Sequence, residues 1–149
     1  MNTVFLPSYS VGSDVYKQIP KVCGAYGKTA VVIGGKTAIS KAKDALLAGV
    51  HNSNIEIIDF IWYGGDSTYA NIKKLAQNPQ FQKADMVFAV GGGRAIDTCK
   101  TLCDMENKPV FSFPTIASNC SPVTAVCVIY DDETHGFKEL YFPQKKPIT

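Results

Sequence analysis

Three consecutive glycines, Gly91-Gly92-Gly93, stand immediately before Arg94, the only arginine in the chain. Glycine lets the backbone adopt positive φ and approach a ligand with no Cβ in the way. The residues before the turn (DMVFAV) read as a buried strand and those after it as a helix. The free N–H groups and positive dipole end of that helix therefore point at the turn, which suits a phosphate. Arg94 at the first helical position is unfavourable for a bare helix, which prefers an acid there, and favourable for a bound phosphate. Asp97 lies in the first turn, where its charge suits the dipole, and is more readily a stabiliser of the turn than a catalyst. The stretch is not a G-x-G-x-x-G fingerprint, and it does not follow the first strand.

A second glycine turn, Gly34-Gly35-Lys36, closes an earlier apolar run. In nucleotide-binding sheets an acid near the end of such a strand bonds the adenosine 2′-hydroxyl. Gly35 and Lys36 replace it here, so nothing repels a 2′-phosphate. The loop at 115–124 (TIASNCSPVT) is dense in small hydroxyls and follows a strand, where α/β sheets bind ligands. It shows no Ser–His–Asp arrangement, and no base accompanies Cys120 in sequence. Asp131, Asp132, Glu133 and His135 could be drawn as metal ligands but read better as a solvated turn.

The elements that must position these residues alternate. Strands are expected at 28–34, 55–63, 85–90 and 109–113, and helices at 37–50 (with Thr37 as N-cap), 67–77 and 94–105. Asn78-Pro79 is expected to break the second helix. Strands alternating with helices imply βαβ units, hence an α/β fold with a doubly wound, mainly parallel, Rossmann-like sheet and helices on both faces. After Thr115 the pattern changes to strands at 126–130 and 137–142 around a turn at 131–136, an appended C-terminal β-hairpin.

A chain of 149 residues fits one domain, 1–149, able to bury about 70 % of its unfolded surface. The formal charge of +2 is small and the lysines are scattered, which argues against nucleic acid. No apolar run reaches the roughly 18–20 residues of a membrane helix, and the N-terminus lacks a signal-peptide pattern. The five cysteines are odd in number and sit mostly in apolar segments, which points to reduced structural thiols and a cytoplasmic compartment. Two histidines support a zinc site poorly.

GGGRAIDTCK followed by FPTIASNCSPVTAVCVIY resembles the N-terminal half of the iron-containing alcohol dehydrogenase superfamily, in its glycerol dehydrogenase and hydroxycarboxylate dehydrogenase branch. The resemblance implies an NAD(P)-dependent, metal-dependent oxidoreductase acting on CH–OH groups. It has a dinucleotide-binding N-terminal domain, and a helical C-terminal domain expected to be absent from these 149 residues. It places NADP or NAD on Gly91, Gly92, Gly93 and Arg94, with Gly35 at the adenosine ribose. The nicotinamide end would meet Thr115, Ser118, Thr124, Val126 and Tyr130. Cys120 stands where glycerol dehydrogenases carry a polyol-contacting aspartate, which favours a small 2-oxo or 2-hydroxy acid over glycerol or another polyol. The family's divalent metal, zinc or iron, takes an aspartate expected just past Thr149 and histidines of the helical domain. The fragment is therefore expected to bind cofactor without turnover. The implied partners are the dinucleotide, a small-molecule substrate and further copies in a homo-oligomer. A stand-alone, non-catalytic nucleotide-binding module is the rival reading.

Overall fold

The computed structural model describes residues 9–145 and 147–149. After a 3-10 turn at Val15–Gln18, the elements are α1 (Ile19–Cys23), β1 (Thr29–Gly34), α2 (Lys36–Val50), β2 (Glu56–Trp62), α3 (Tyr69–Ala76) and α4 (Pro79–Lys83). They continue with β3 (Met86–Gly91), α5 (Gly93–Met105), β4 (Val110–Pro114), β5 (Cys127–Tyr130) and β6 (Phe137–Tyr141). Strands β1 to β4 form one parallel sheet in the order β2-β1-β3-β4, and β5 and β6 an antiparallel pair. The expected fold class is the observed one.

Alternation along the two central strands sorts the core into two layers, because successive strand side chains point to opposite faces. Val31, Ile33, Val87 and Ala89 face one way, onto Ile72 and Leu75 of α3, Phe81 of α4, and Ile96, Cys99 and Leu102 of α5. Val32, Met86, Phe88 and Val90 face the other way, onto Ile19 and Cys23 of α1 and Ala42, Leu46 and Val50 of α2. Both β1 and β3 are buried on both faces, which is why they read as unbroken apolar runs.

Two local expectations are revised and one further element is present. Gly35, not Thr37, is the N-cap of α2, so Thr37 lies inside the first turn. The segment before β1 is helical, with Pro20 in the first turn of α1. Asn78-Pro79 ends one helix and begins another: Asn78 Oδ1 accepts the Gln80 and Phe81 amides, and Pro79 opens α4. Asn as N-cap with Pro at the next position is a helix start as well as a stop.

The amino ends of the central strands are tied by one carboxylate. Asp85 accepts the backbone amides of Lys28 at 2.7 Å and Thr29 at 3.0 Å, and these bonds hold its pKa below the ordinary carboxylate value. A depressed folded pKa means a stabilising contribution present above the unfolded carboxylate pKa and lost as pH falls through the folded one. Asp85→Asn, which keeps an acceptor but cannot titrate, is expected to flatten the acid limb of the stability–pH curve. Within α2, Leu46 is fully buried and Leu47 is 40 % exposed. Leu46→Ala should cost about 3 kcal/mol in urea unfolding, and Leu47→Ala under about 0.5 kcal/mol.

Candidate functional site

β1 and β3 lie side by side, but the chain leaves them in opposite directions across the sheet, β1 toward β2 and β3 toward β4. That reversal opens a crevice at their carboxyl ends, where open parallel sheets take ligands. Both glycine turns fall there. Gly34 pairs with Val90, the Gly35 amide donates to the Val90 carbonyl at 3.3 Å, and the Thr115 amide donates to the Gly91 carbonyl at 3.0 Å. Gly91 has φ of 148°, a conformation L side chains rarely adopt. A Cβ on Gly93 would stand 2.3 Å from Nδ2 of Asn119, so a side chain there would push the Asn119 amide aside.

Two helices begin at this crevice, and neither has a side-chain cap. Gly35 precedes α2 and Gly92 precedes α5. By contrast Thr68 caps α3 and Asn78 caps α4. The first-turn amides of an uncapped helix have no intrahelical acceptor and carry the positive end of the dipole. The two helix starts add Lys36 and Arg94 to these amides. The resulting cleft, about 570 Å³, is lined by Gly35, Lys36, Trp62, Gly91-Gly92-Gly93, Arg94 and Thr115 among others. Such a surface suits an extended anion.

Trp62, at the end of β2, is 47 % exposed, and the Lys36 ammonium sits 4.4 Å from its ring centroid. Sequence reasoning missed this residue; a lone tryptophan ending an edge strand just before Gly64-Gly65 was the available signal. Tyr63 lines the same cleft. Burial, and then the Asp66 carboxylate, push its phenol above its ordinary pKa; it stays protonated and donates to the Gly65 carbonyl at 2.7 Å.

A second cleft, about 310 Å³, meets the first at Gly93 and Arg94. Asp97, Asn119, Cys120, Ser121, Thr124, Val126, Val128 and Tyr130 complete its wall. Of the residues singled out from sequence, Thr115 lies in the first cleft and Cys120, Thr124, Val126 and Tyr130 in the second. Ser118 is exposed on the loop and lines neither. Asp97 borders the second cleft, but both its oxygens are engaged, Oδ1 accepting the Ser121 hydroxyl and Oδ2 the Val128 amide.

Arg94 has a protein partner that the sequence did not indicate. Its guanidinium stands 3.3 Å from Oδ1 of Asp66 and 4.5 Å from the centroid of the Tyr130 ring. Asp66, in the loop between β2 and α3, is buried, and its Oδ2 lies 3.4 Å from His135 Nδ1. Tyr130 reaches this spot because its amide donates to the Ser67 carbonyl at 2.8 Å, joining the hairpin to the loop. The arginine is thereby stacked and oriented at the junction of the two clefts.

Among the described residues, no group of three or more His, Cys, Asp or Glu side chains could hold a metal ion. No helix among them is long and apolar enough to cross a membrane. Asp131 turns inward on its own loop, accepting the Glu133 and Thr134 amides, which lower its pKa.

A doubly wound parallel sheet with its crevice at a switch point between two glycine turns is a Rossmann-like α/β domain. The profile of one family, "Iron-containing alcohol dehydrogenase", matches residues 7–148. The chain belongs to the iron-containing alcohol dehydrogenase family. Glycerol dehydrogenase of Escherichia coli O6:H1 is 26% identical over 135 residues, covering 91% of this chain and 36% of that protein. Glycolaldehyde reductase of Halobacterium salinarum is 30% identical over 99% of this chain and 40% of its own length. The crystal structure of glycerol dehydrogenase from Schizosaccharomyces pombe superposes with a TM-score of 0.81 at 21% identity, over 98% of this chain and 37% of that one. The chain thus spans somewhat more than a third of the length of these relatives.

Four of the five cysteines are buried and Cys120 is exposed. Burial also pushes the thiols of Cys23 and Cys127 up, to about 12 and about 11. A thiol reagent at neutral pH should modify Cys120 alone in the native chain and all five thiols in denaturant. Mass spectrometry of the native adduct checks this, and rapid labelling of Cys99 or Cys103 would refute the packing around α5.

Proposed function

We propose that this chain is the cofactor-binding domain of a metal-dependent NAD(P) oxidoreductase acting on a small alcohol/carbonyl pair. The observation that carries this reading is the convergence of two uncapped helix starts and two cations on one crevice. Backbone amides at the start of α5 and the Arg94 guanidinium bind the diphosphate. The adenosine end extends toward Gly35, Lys36 and Trp62, and the nicotinamide end enters the second cleft along Thr124, Val126 and Tyr130. The bound nicotinamide supplies the hydride chemistry, and the chain orients it. Asp97 acts on this cofactor through the loop it holds. Ser118, exposed on the same loop, contributes only if that loop closes over the nicotinamide.

The metal of the family needs ligands from outside the described residues, since none of these form a set that could hold it. On this reading the 149 residues are an N-terminal domain that binds cofactor and does not turn over by itself. The preferred substrate is a small 2-oxo or 2-hydroxy acid, because Cys120 replaces the aspartate that meets polyols in the glycerol dehydrogenases. Cys120 lines the second cleft, where this reading puts the nicotinamide end. A small polyol or hydroxyaldehyde is the second reading, favoured by the names of the two sequence relatives.

Gly35 presents no carboxylate to a 2′-phosphate, and Lys36 and Lys41 line the same cleft. Calorimetric titration should therefore find NADPH bound at least as tightly as NADH. A strong preference for NADH would sink the assignment of the adenosine end, and binding of neither would sink the cofactor site. Arg94→Ala should weaken both about tenfold and make the affinity less sensitive to salt.

A further inference from the structure

Lys100, on α5, is 1 % exposed and lines neither of the two clefts. An ammonium has three N–H donors, and each finds a backbone carbonyl: Ser121 at 2.8 Å, Thr124 at 3.1 Å and Val126 at 2.7 Å. Its counter-charge is Asp97, one helical turn earlier, with Oδ1 at 3.1 Å. Asp97 in turn holds the Ser121 hydroxyl and the Val128 amide. Two side chains of one helix thus make five bonds to the segment 121–128.

Before it enters β5 at Cys127, that segment has little else to define its shape. Between β4 and β5 the only regular element is the 3-10 turn Ser121–Val123, and no strand ladder crosses the loop. Its remaining ties include Ser112 Oγ to the Pro122 carbonyl and the Thr124 hydroxyl to the Cys120 carbonyl. The outer side of the same segment contributes Ser121, Thr124, Val126 and Val128 to the wall of the second cleft. A lysine in so dry a place is tolerated because every donor is satisfied and its charge is paired. The geometry that satisfies it is the geometry of the wall.

We infer that Lys100 and Asp97 are positioning residues: they fix the cleft wall against which the nicotinamide half of the cofactor lies, Lys100 from behind it and Asp97 at its border with both carboxylate oxygens already bonded to the protein. The inference rests on the diphosphate of that cofactor lying on Gly91-Gly92-Gly93. Its consequence is selective. The adenosine subsite lies on α2 and the end of β2, and the diphosphate subsite on the first turn of α5 ahead of both residues, so the pair governs the affinity that nicotinamide adds.

The test compares ADP-ribose, which lacks nicotinamide, with NADH on the 149-residue chain and on Lys100→Met and Asp97→Asn. Calorimetry reads the affinities, and the emission of bound NADH reports the nicotinamide environment. The wild-type chain should bind NADH more tightly than ADP-ribose and enhance its emission. In the variants ADP-ribose affinity should hold within about twofold, while the NADH advantage falls about tenfold and the enhancement disappears. Lys100→Arg, which keeps the charge, should recover part of both. Should Lys100→Met fail to fold by circular dichroism, Asp97→Asn and Lys100→Arg decide. Variants that keep the wild-type ratio overturn the inference and leave the glycine cleft standing. Variants that lose both ligands in parallel also overturn it, because the pair then supports the whole domain. A wild-type chain that binds both ligands equally overturns it as well. A wild-type chain that binds no ADP-ribose overturns the glycine cleft and this inference together.

Discussion

Two parallel strands that end side by side, each feeding a helix that starts on glycine, impose the constraint from which the rest of this structure follows. At Gly35 and Gly92 there is no side chain to cap the helix, and the main chain of the two strand ends is in direct hydrogen-bonded contact. Unpaired amides and two dipole ends are thereby concentrated in one crevice, an arrangement a helix–sheet core alone does not need. The opposite end of the sheet is treated differently. There Asp85 and the Lys108 ammonium, which donates to the Gln82 and Ala84 carbonyls, satisfy the backbone with side chains. One end of the sheet is closed by its own side chains and the other ends in two helix starts without side-chain caps.

The hairpin and the loop before it are held to this sheet by polar contacts beside the buried Ile129 and Cys127. Lys100 and Asp97 hold the loop to α5, and Tyr141 donates its hydroxyl to Asp104 at 2.7 Å. That bond, more than burial, raises the tyrosine pKa to about 12. Asp66 and Tyr130 bring the β2–α3 loop and the hairpin together around Arg94. A buried charge such as Lys100 must keep its partners, because leaving it unpaired in so dry a place is costly. The second cleft is bounded almost entirely by segments held in this way, whereas the first is floored by the sheet and its helices.

Legibility followed the range of the interactions. The alternation of strands and helices, the two glycine turns and the appended hairpin were readable because each depends on periodicity or on backbone freedom within a few residues. Where local reading failed, a competing local rule had won: the glycine before Lys36 capped α2 in place of Thr37, and Asn78-Pro79 started α4 while ending α3. The family was readable from two motifs, Gly91-Gly92-Gly93-Arg94 and the 115–124 loop, whose residue types fit only a narrow set of backbone paths.

The sequence by itself determined the α/β class and the two glycine turns, since side-chain volume, glycine φ and apolar period act along the chain. Only the tertiary structure decided that the turns after β1 and β3 share one crevice, because strand order is set by packing across the sheet. Tertiary structure also decided that Arg94 is stacked on Tyr130 and paired with Asp66, and that Asp97 faces Lys100 and the 121–128 segment. Those contacts join residues 24 to 36 positions apart or bury a charge on a helix face, and neither is encoded in a local pattern.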